Sequence, residues 1–541
     1  MMEFLIRPLL LILLIAQMQS AQDSYKAATF EYEPEYIPDD PLETMRLNAK
    51  EFEKQIEIVS KEYAKIIVFP ELGLTSIHLP NRSALSNWSI EVPDPEKNSL
   101  PCNESGIHEV LHKISCAAER RKLYVVINLV EKKDNCLYSS NVVFSSEGRI
   151  VARYRKYYRY NEFGEFNRPK ELNATAFSTP FGTFGVLIGA DILYEEPART
   201  LIEKNVRQFV YPLAWVTVLP FSTSYQMQLT WSKTKDVTVI SAPYYPGREY
   251  VVGGIFMSAG YDPKAARLNS AIVDIVPRKG RVSIDEISQS VTEPIGNDCV
   301  VRNKDIKLKY ANITPFTNKI DNDTSQWTWE ADGIKCEFEV TANLSARKTE
   351  SFQFFAYTGK DDVLGEKCSS FATSVCAIVR CGSNSLDKCG LVGTSRVTFS
   401  SIKIKTTYNQ TKHELVFQNT LQHGYYEIPS TMNSTNSTGK MIQTMVLSSE
   451  AQGLVVFGIV RKFFLGCTEK SNDTADNYVT LPANTNDNPD NCSPLVPDLE
   501  RDLTSPIYPY IILCTIFPVV LFALVYVAIK YRRQILSRIT D

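Results

Sequence analysis

The sequence predicts an α/β domain over its first half, a mostly-β domain after it, and one apolar membrane-spanning helix near the C-terminus. Three observations carry this. From about Tyr25 to Gln289, segments with helical apolar spacing alternate with short buried strand runs, the pattern of a layered α/β domain. From about Val291 the texture changes to cysteines, Asn-x-Ser/Thr motifs and short β-branched runs such as CEFEV, SFQFFAY, SRVTFSSIKI, HELVFQN and GLVVFGIV. Near the end, residues 507–529 read IYPYIILCTIFPVVLFALVYVAI, an uncharged run that as a helix reaches about 35 Å at ~1.5 Å per residue, enough to cross a ~30 Å hydrocarbon core.

The elements follow in order. Residues 1–21 carry Arg7, a short apolar run and small residues at Ser20 and Ala21, which read as a signal peptide cleaved near Ala21 or Gln22. Leu42 to Glu62 has apolar residues at helical intervals, and Lys65 to Leu72 (KIIVFPEL) reads as a buried strand ending in Pro-Glu. A helix is expected around Ile107 to Arg120 and a strand at Leu123 to Val130. Asn141–Ser145 and Arg149–Tyr154 flank the turn SSEGR as a hairpin. Phe184–Ile188 is a further strand, Pro197–Lys204 a helix, and QFVYP and VTVISAPYYP are strands. The expected domains are 22–290 (α/β), 291–470 (β-rich), a stalk at 471–506 rich in Asn, Asp, Pro and Thr, the membrane helix 507–529, and a tail at 530–541.

Location follows from both ends. Lys530, Arg532, Arg533 and Arg538 keep the tail cytoplasmic, so the bulk faces outward as a single-pass type I protein of the plasma membrane. A lipid-anchor signal is the rival reading, but such signals end within their hydrophobic tail, and this one continues into basic residues. Asn-x-Ser/Thr occurs at Asn81, Asn87, Asn103, Asn173, Asn312, Asn322, Asn343, Asn409, Asn433, Asn436 and Asn472. Asn491 fits weakly, because Pro follows its Ser. Of the twelve cysteines, Cys514 lies in the membrane run. The remaining odd number implies disulfides with at least one cysteine left over. Cys376, Cys381 and Cys389 lack a CxxC spacing and read as disulfide partners rather than zinc ligands. A net charge of −3 with 22% charged residues is too balanced for nucleic-acid binding or wholesale disorder.

Two constellations could carry chemistry. His108-Glu109-Val110-Leu111-His112 matches H-E-x-x-H, the helical zinc-peptidase signature with both imidazoles on one face. No third ligand follows at the known spacing, so no metal is expected and the stretch reads as a surface helix, with a zinc peptidase kept only as a distant alternative. The second is spread out: Glu71 ends a strand in IIVFPELG, Lys156 follows another in RIVARYRKYYRY, and Gly189 sits in the turn after a third, FGVLIGAD. Ligands in open α/β sheets gather at the carboxyl ends of strands, so these three points can converge. A carboxylate there can act as general base and an ammonium can stabilise an oxyanion.

These stretches, in their order, resemble the biotinidase/vanin branch of the nitrilase (carbon–nitrogen hydrolase) superfamily. The residues carrying the resemblance are IIVFPELG, ISCAAERRKLYVVINLVEKK, NVVFSSEGRIVARYRKYYRYNEFGEFNRP, FGTFGVLIGADILYEEPARTL, FVYPLAWVTVLP, LTWSKTK and SAPYYP. The resemblance implies a four-layer α-β-β-α sandwich and a Glu-Lys-Cys triad without cofactor, in which a thiolate attacks a linear amide such as pantetheine or a biotin amide. Carried over, the base is Glu71 and the lysine Lys156, while the thiol position is Gly189. Asp191 matches the turn, and a further family carboxylate corresponds to Glu162 or Glu165. With glycine at the thiol position, the expectation is an impaired or inactive enzyme that binds a small amide ligand in its pocket or serves only as a protein-interaction module. The alternative is an active amidohydrolase using water or another nucleophile. Cys116 and Cys136 are expected in disulfides and not as substitutes. The sequence identifies no protein partner.

Overall fold

In a computed structural model the described residues fall within 24–464, outside 81, 159–165, 168, 170, 216–220, 222–223, 245–255, 258–265, 269–270, 278–314, 347–348, 362–370, 383–388, 391–394, 412–413, 423–427 and 438. The expected signal peptide, stalk, membrane helix and tail lie outside them, as do the 290/291 domain boundary, Glu162, Glu165, Asn81, Asn312, Asn472 and Asn491. Among the described residues no helix is long and apolar enough to cross a membrane. The chain divides into two compact units, Met1–Pro494 and Leu495–Asp541, and all that follows concerns the first.

Two sheets lie face to face at the centre of the first half. One has the order β11-β12-β1-β2-β3-β4-β5. Its strands are β1 (Ser24–Phe30), β2 (Ile66–Val68), β3 (Tyr124–Lys133), β4 (Cys136–Phe144), β5 (Ile150–Arg155), β11 (Ala266–Leu268) and β12 (Ala271–Pro277). β1, β2 and β3 run parallel, with Ala28 opposite Ile67 and Ile67 opposite Val125. The other has the order β10-β9-β8-β7-β6, built from β6 (Ala176–Thr179), β7 (Gly182–Val186), β8 (Gln208–Leu213), β9 (Thr238–Pro243) and β10 (Phe256–Met257), with β7, β8 and β9 parallel. Ile66, Val68, Val126 and Ala152 of the first sheet meet Phe184, Val186, Val210 and Ile240 of the second in one dry core. Burial on both faces explains why these strands read as continuous apolar runs instead of alternating ones.

Helices cover the outer faces. α1 (Pro41–Lys61) starts where Asp40 accepts a hydrogen bond from the Glu43 amide at 2.9 Å, with Pro41 in the first turn. Its Met45, Ala49, Phe52, Ile56 and Val59 recur at helical spacing and pack with Val110, Leu111 and Ile114 of α3 (Glu109–Arg121) on the first sheet. The single turn α2 (Arg82–Leu85) lies between them in sequence. On the second sheet, α4 (Ala198–Glu203) and α5 (Ser224–Lys235) complete the sandwich, the Trp231 ring meeting Phe209 edge-on at 5.4 Å. The layers are therefore α-β-β-α, as the resemblance implies.

The second half is a two-sheet β structure. Its five-stranded sheet has the order β13-β16-β17-β23-β19, from β13 (Phe316–Lys319), β16 (Ser351–Asp361), β17 (Phe371–Cys381), β19 (Glu414–Gln422) and β23 (Leu454–Phe464). The facing sheet is β14-β15-β18-β21-β20, from β14 (Thr324–Ala331), β15 (Ile334–Asn343), β18 (Thr398–Asn409), β20 (Ser430–Ser437) and β21 (Lys440–Leu447), with β22 (Ala451–Gln452) on β18. Inward residues of both, Phe338, Ile404, Phe354 and Phe457 among them, form a single core. Cys336–Cys376 ties the two sheets together, and Cys381–Cys389 closes a short loop, so the cysteines read from the sequence as disulfide partners are so bonded. β19 docks on α5. Asn419 donates to the Phe221 carbonyl at 2.8 Å and accepts from Gln226 at 2.9 Å, while Thr230 donates to the Gln418 carbonyl at 2.7 Å.

One cysteine departs from expectation. Cys116 bonds to Cys102, but Cys136 has no disulfide among the described residues. It opens β4 opposite Lys133, so the ladder sets no cysteine across from it.

Candidate active site

The site is built from loops that leave four strands. β2 is only three residues long; the chain leaves it through Phe69 and Pro70, so Glu71 sits beyond the strand that the sequence extends to Leu72. Leu72 takes a left-handed conformation (φ 54°), and its amide donates to Asn128 Oδ1 at 2.8 Å. That bond turns the Glu71 carboxylate into the protein, where the residue is 1% exposed. Lys156 is the first residue past β5. Its amide donates to the Ser139 carbonyl at 2.8 Å, and its ammonium reaches Glu71 Oε1 at 2.7 Å. The other oxygen, Oε2, accepts from the Ala214 amide at 2.9 Å, just past β8. Both carboxylate oxygens thus have partners. This is the condition for keeping such a charge buried.

Gly189 begins the 3₁₀ turn Gly189–Leu193 that follows β7, with φ at +47°. A Cβ built on it would lie 2.6 Å from Glu71 Oε2 and 2.8 Å from Lys156 Nζ. The three positions therefore meet at one point, and the acid–base pair occupies the space a side chain would need. Tyr211 of β8 holds the turn from below, its hydroxyl donating to the Gly189 carbonyl. Asp191 folds back to accept from the Ile188 amide at 2.7 Å. Complete burial pushes the Asp191 carboxyl up to about 7, against the lowering effects of the Ile188 amide, the Lys156 charge and Tyr154. The Tyr154 hydroxyl interacts with Asp191 electrostatically without reaching full hydrogen-bond geometry. Burial and then the Asp191 charge raise the Tyr154 phenol well above its usual range. Tyr211 rises for the same first reason, followed by the Glu71 charge.

The stretch RYRKYYRY explains the alignment. In an extended chain alternate residues share a face. Tyr154 and Lys156 accordingly address Asp191 and the Gly189 position, and Tyr158, in the bend after β5, reaches the same turn by stacking on Tyr194 at 3.4 Å. A buried amide chain joins the two halves of the site. Asn128 Nδ2 donates to Asn141 Oδ1 at 3.0 Å, and Asn141 Nδ2 donates to the Leu187 carbonyl at 3.0 Å.

Sequence reasoning brought Glu71, Lys156, Gly189 and Asp191 together; it missed Tyr211, the Ala214 amide, Asn128, Asn141 and Tyr158. Asn128 left a signal, since it interrupts the apolar run LYVVINLV and a buried amide demands partners, and Asn141 heads the run NVVF. Tyr211 and Ala214 left none.

The H-E-x-x-H stretch is not a paired-imidazole face. His108 precedes the helix in extended conformation and caps it, its Nδ1 accepting from the Val110 amide at 3.3 Å. Burial lowers its pKa. Glu109 pairs with Arg46 at 2.8 Å. His112 approaches Cys102 and Cys116, but those sulfurs are bonded to each other and so are not thiolate ligands.

With this geometry in view, comparison with known proteins is informative. The carbon–nitrogen hydrolase family matches residues 34–235, and the vanin C-terminal domain matches 306–465. The chain is 31% identical to a biotinidase of Takifugu rubripes over 70% of this chain and 83% of that protein. It is 25% identical to a pantetheinase of Homo sapiens over 81% and 89%, and 30% identical to vanin-like protein 1 of Drosophila melanogaster over 68% and 72%. The chain belongs to the biotinidase/vanin branch of the nitrilase (carbon–nitrogen hydrolase) superfamily.

Proposed function

We propose that the chain is a cell-surface member of this family that has lost amide hydrolysis at the nucleophile while keeping its acid–base pair assembled. One observation carries the reading. The atom that would bear a thiol at position 189 falls within 3 Å of both the Glu71 carboxylate and the Lys156 ammonium, yet the residue there is glycine. Glycine, Ile188 and Ala190 offer no lone pair for attack on a carbonyl, so no acyl-enzyme forms. In a related type of triad, loss of the nucleophile lowers kcat about 10⁶-fold, equivalent to roughly 8 kcal/mol.

The relatives' names point to small linear amides, and a pantetheine-like or biotin-amide-like molecule is the ligand class proposed here. Lys156 would face its carbonyl oxygen. The extracellular setting rests on the signal peptide, the 507–529 run and the sequons. Of these, Asn87, Asn103, Asn173, Asn322, Asn343, Asn409, Asn433 and Asn436 are all solvent-exposed.

The test compares wild type with Gly189→Cys on pantetheine and biotin amides, with intact-mass detection of acyl-enzyme. Acylation confined to the substituted protein supports the reading, and the Glu71 and Lys156 tips are the flexible ends that must yield to the new side chain. Equal turnover by both proteins favours an active hydrolase using another nucleophile. Acylation of neither shows that the pocket no longer presents an amide to this position.

A further inference from the structure

Among the described residues, β20 is an edge strand with none of the protections that edge strands ordinarily carry. It pairs with β21 on one side, with Asn433 opposite Thr444 and Asn436 opposite Met441, and among the described residues no strand lies on its other side. Its register runs without a bulge from Ser430 to Ser437. Its sequence, STMNSTNS, has no charge and no proline. Apart from Ser430 and the half-buried Met432 it is exposed. From Ser430 to Asn436 such a strand presents about 23 Å of regular backbone along its outer edge, a template for pairing with another chain. The edge strand β19 of the other sheet is managed differently, because α5 is docked on it.

What β20 does carry is two consecutive sequons, Asn433-Ser-Thr and Asn436-Ser-Thr, the second ending one residue past the strand. Strand alternation sends positions three apart to opposite faces. Met432 has the parity of Asn436 and packs on the core, which marks the Asn436 side as the inward face, running out past the end of the core; Asn433 points outward. The placement is selective. Asn343, Asn409, Asn433 and Asn436 lie on strands of this sheet and Asn322 just before β14. Among the described residues the five-stranded sheet carries no sequon.

We propose that N-glycans at Asn433 and Asn436, leaving opposite faces of β20, block this edge from pairing with β20 of a second copy of the chain. Two copies would pair antiparallel about a two-fold axis, each offering the same strand. A glycan on either face obstructs the approach, so occupancy of one site gives partial protection and occupancy of both gives full protection. The inference rests on the reading that the chain passes through the secretory pathway.

The test uses the full chain, purified in detergent from glycosylating cells, with site occupancy by mass spectrometry and molecular mass by light scattering across a concentration series. The expected result is glycan on at least one of the two asparagines in wild type. N433Q/N436Q should then associate at a concentration at least tenfold lower, whereas N409Q behaves as wild type. N433K/N436K, unglycosylated but charged, should match wild type, because charge also protects an edge. Should N433Q/N436Q fail to fold, T435A/T438A, which removes both sequons and keeps both asparagines neutral, gives the same comparison. Bare asparagines at both positions, unchanged association in N433Q/N436Q, or association of N433K/N436K like the glutamine variant each overturn the proposal. Absence of glycan at every sequon, Asn409 included, instead overturns the secretory reading itself.

Discussion

Tyr158 and Tyr194 stack with ring centroids 3.4 Å apart and planes 7° from parallel. The first lies two residues past Lys156 and the second five past Gly189, so the stack ties the ammonium-bearing segment to the turn whose nucleophile is missing. Both rings are nearly buried. Tyr194→Ala should destabilise the protein by about 3 kcal/mol, as truncation of a buried aromatic does. A double-mutant cycle with Tyr158→Ala should return a coupling of about 0.5–1.5 kcal/mol in denaturant unfolding. Additive losses would show that the stack is incidental.

Asp191 sets a pH dependence whose sign is fixed by burial. Its carboxyl titrates at about 7 in the folded protein against an unfolded value of 3.8. Between those values the folded state holds a proton that the unfolded state has released, so this group makes stability fall as pH rises from about 4 to about 7 and adds no slope above that. Asp191→Asn retains an acceptor for the Ile188 amide and removes the titration. The variant should gain stability relative to wild type across that window, on the order of 4 kcal/mol at its upper end. Parallel stability–pH curves for the two proteins would refute the assignment.

Asn419 is the polar centre of the contact between α5 and β19. Asn419→Ala leaves the Phe221 carbonyl and the Gln226 amide without these partners in a buried setting. The expected cost is about 2–3 kcal/mol, read as a lower denaturant midpoint. Gln226→Ala in the same background should cost less than it does alone, because one of the partners of its amide, beside the Thr420 carbonyl, is already gone.

Reduction of Cys102–Cys116, which closes a loop of sequence separation 14 over the start of α3, should cost about 3 kcal/mol on the chain-entropy account. Elemental analysis of the oxidised protein should find no stoichiometric zinc, and His112→Ala should leave metal content unchanged. Zinc that disappears with His112→Ala would restore the peptidase reading.

The sequence exposed the order of helices and strands because apolar spacing is a local property, and α1, α3 and β3 lie within a few residues of where that spacing puts them. Strand ends carried the convergence of Glu71, Lys156 and Gly189, since carboxyl ends of parallel strands share one rim. What stayed hidden is non-local. The Ala214 amide meets Glu71 across 143 residues, and Tyr211 meets the Gly189 carbonyl across 22. No periodicity encodes either contact. His108 misled for a related reason: motif spacing assumes a helix already begun, whereas this histidine caps the start of one.

The measurement closest to the central claim is amide turnover by purified wild type beside Glu71→Ala, on pantetheine and on a biotin amide, at high protein concentration. Both proteins should match the protein-free rate. Turnover by wild type that vanishes in Glu71→Ala would contradict that claim, and would show that the Glu71–Lys156 pair still performs chemistry without a thiol at position 189.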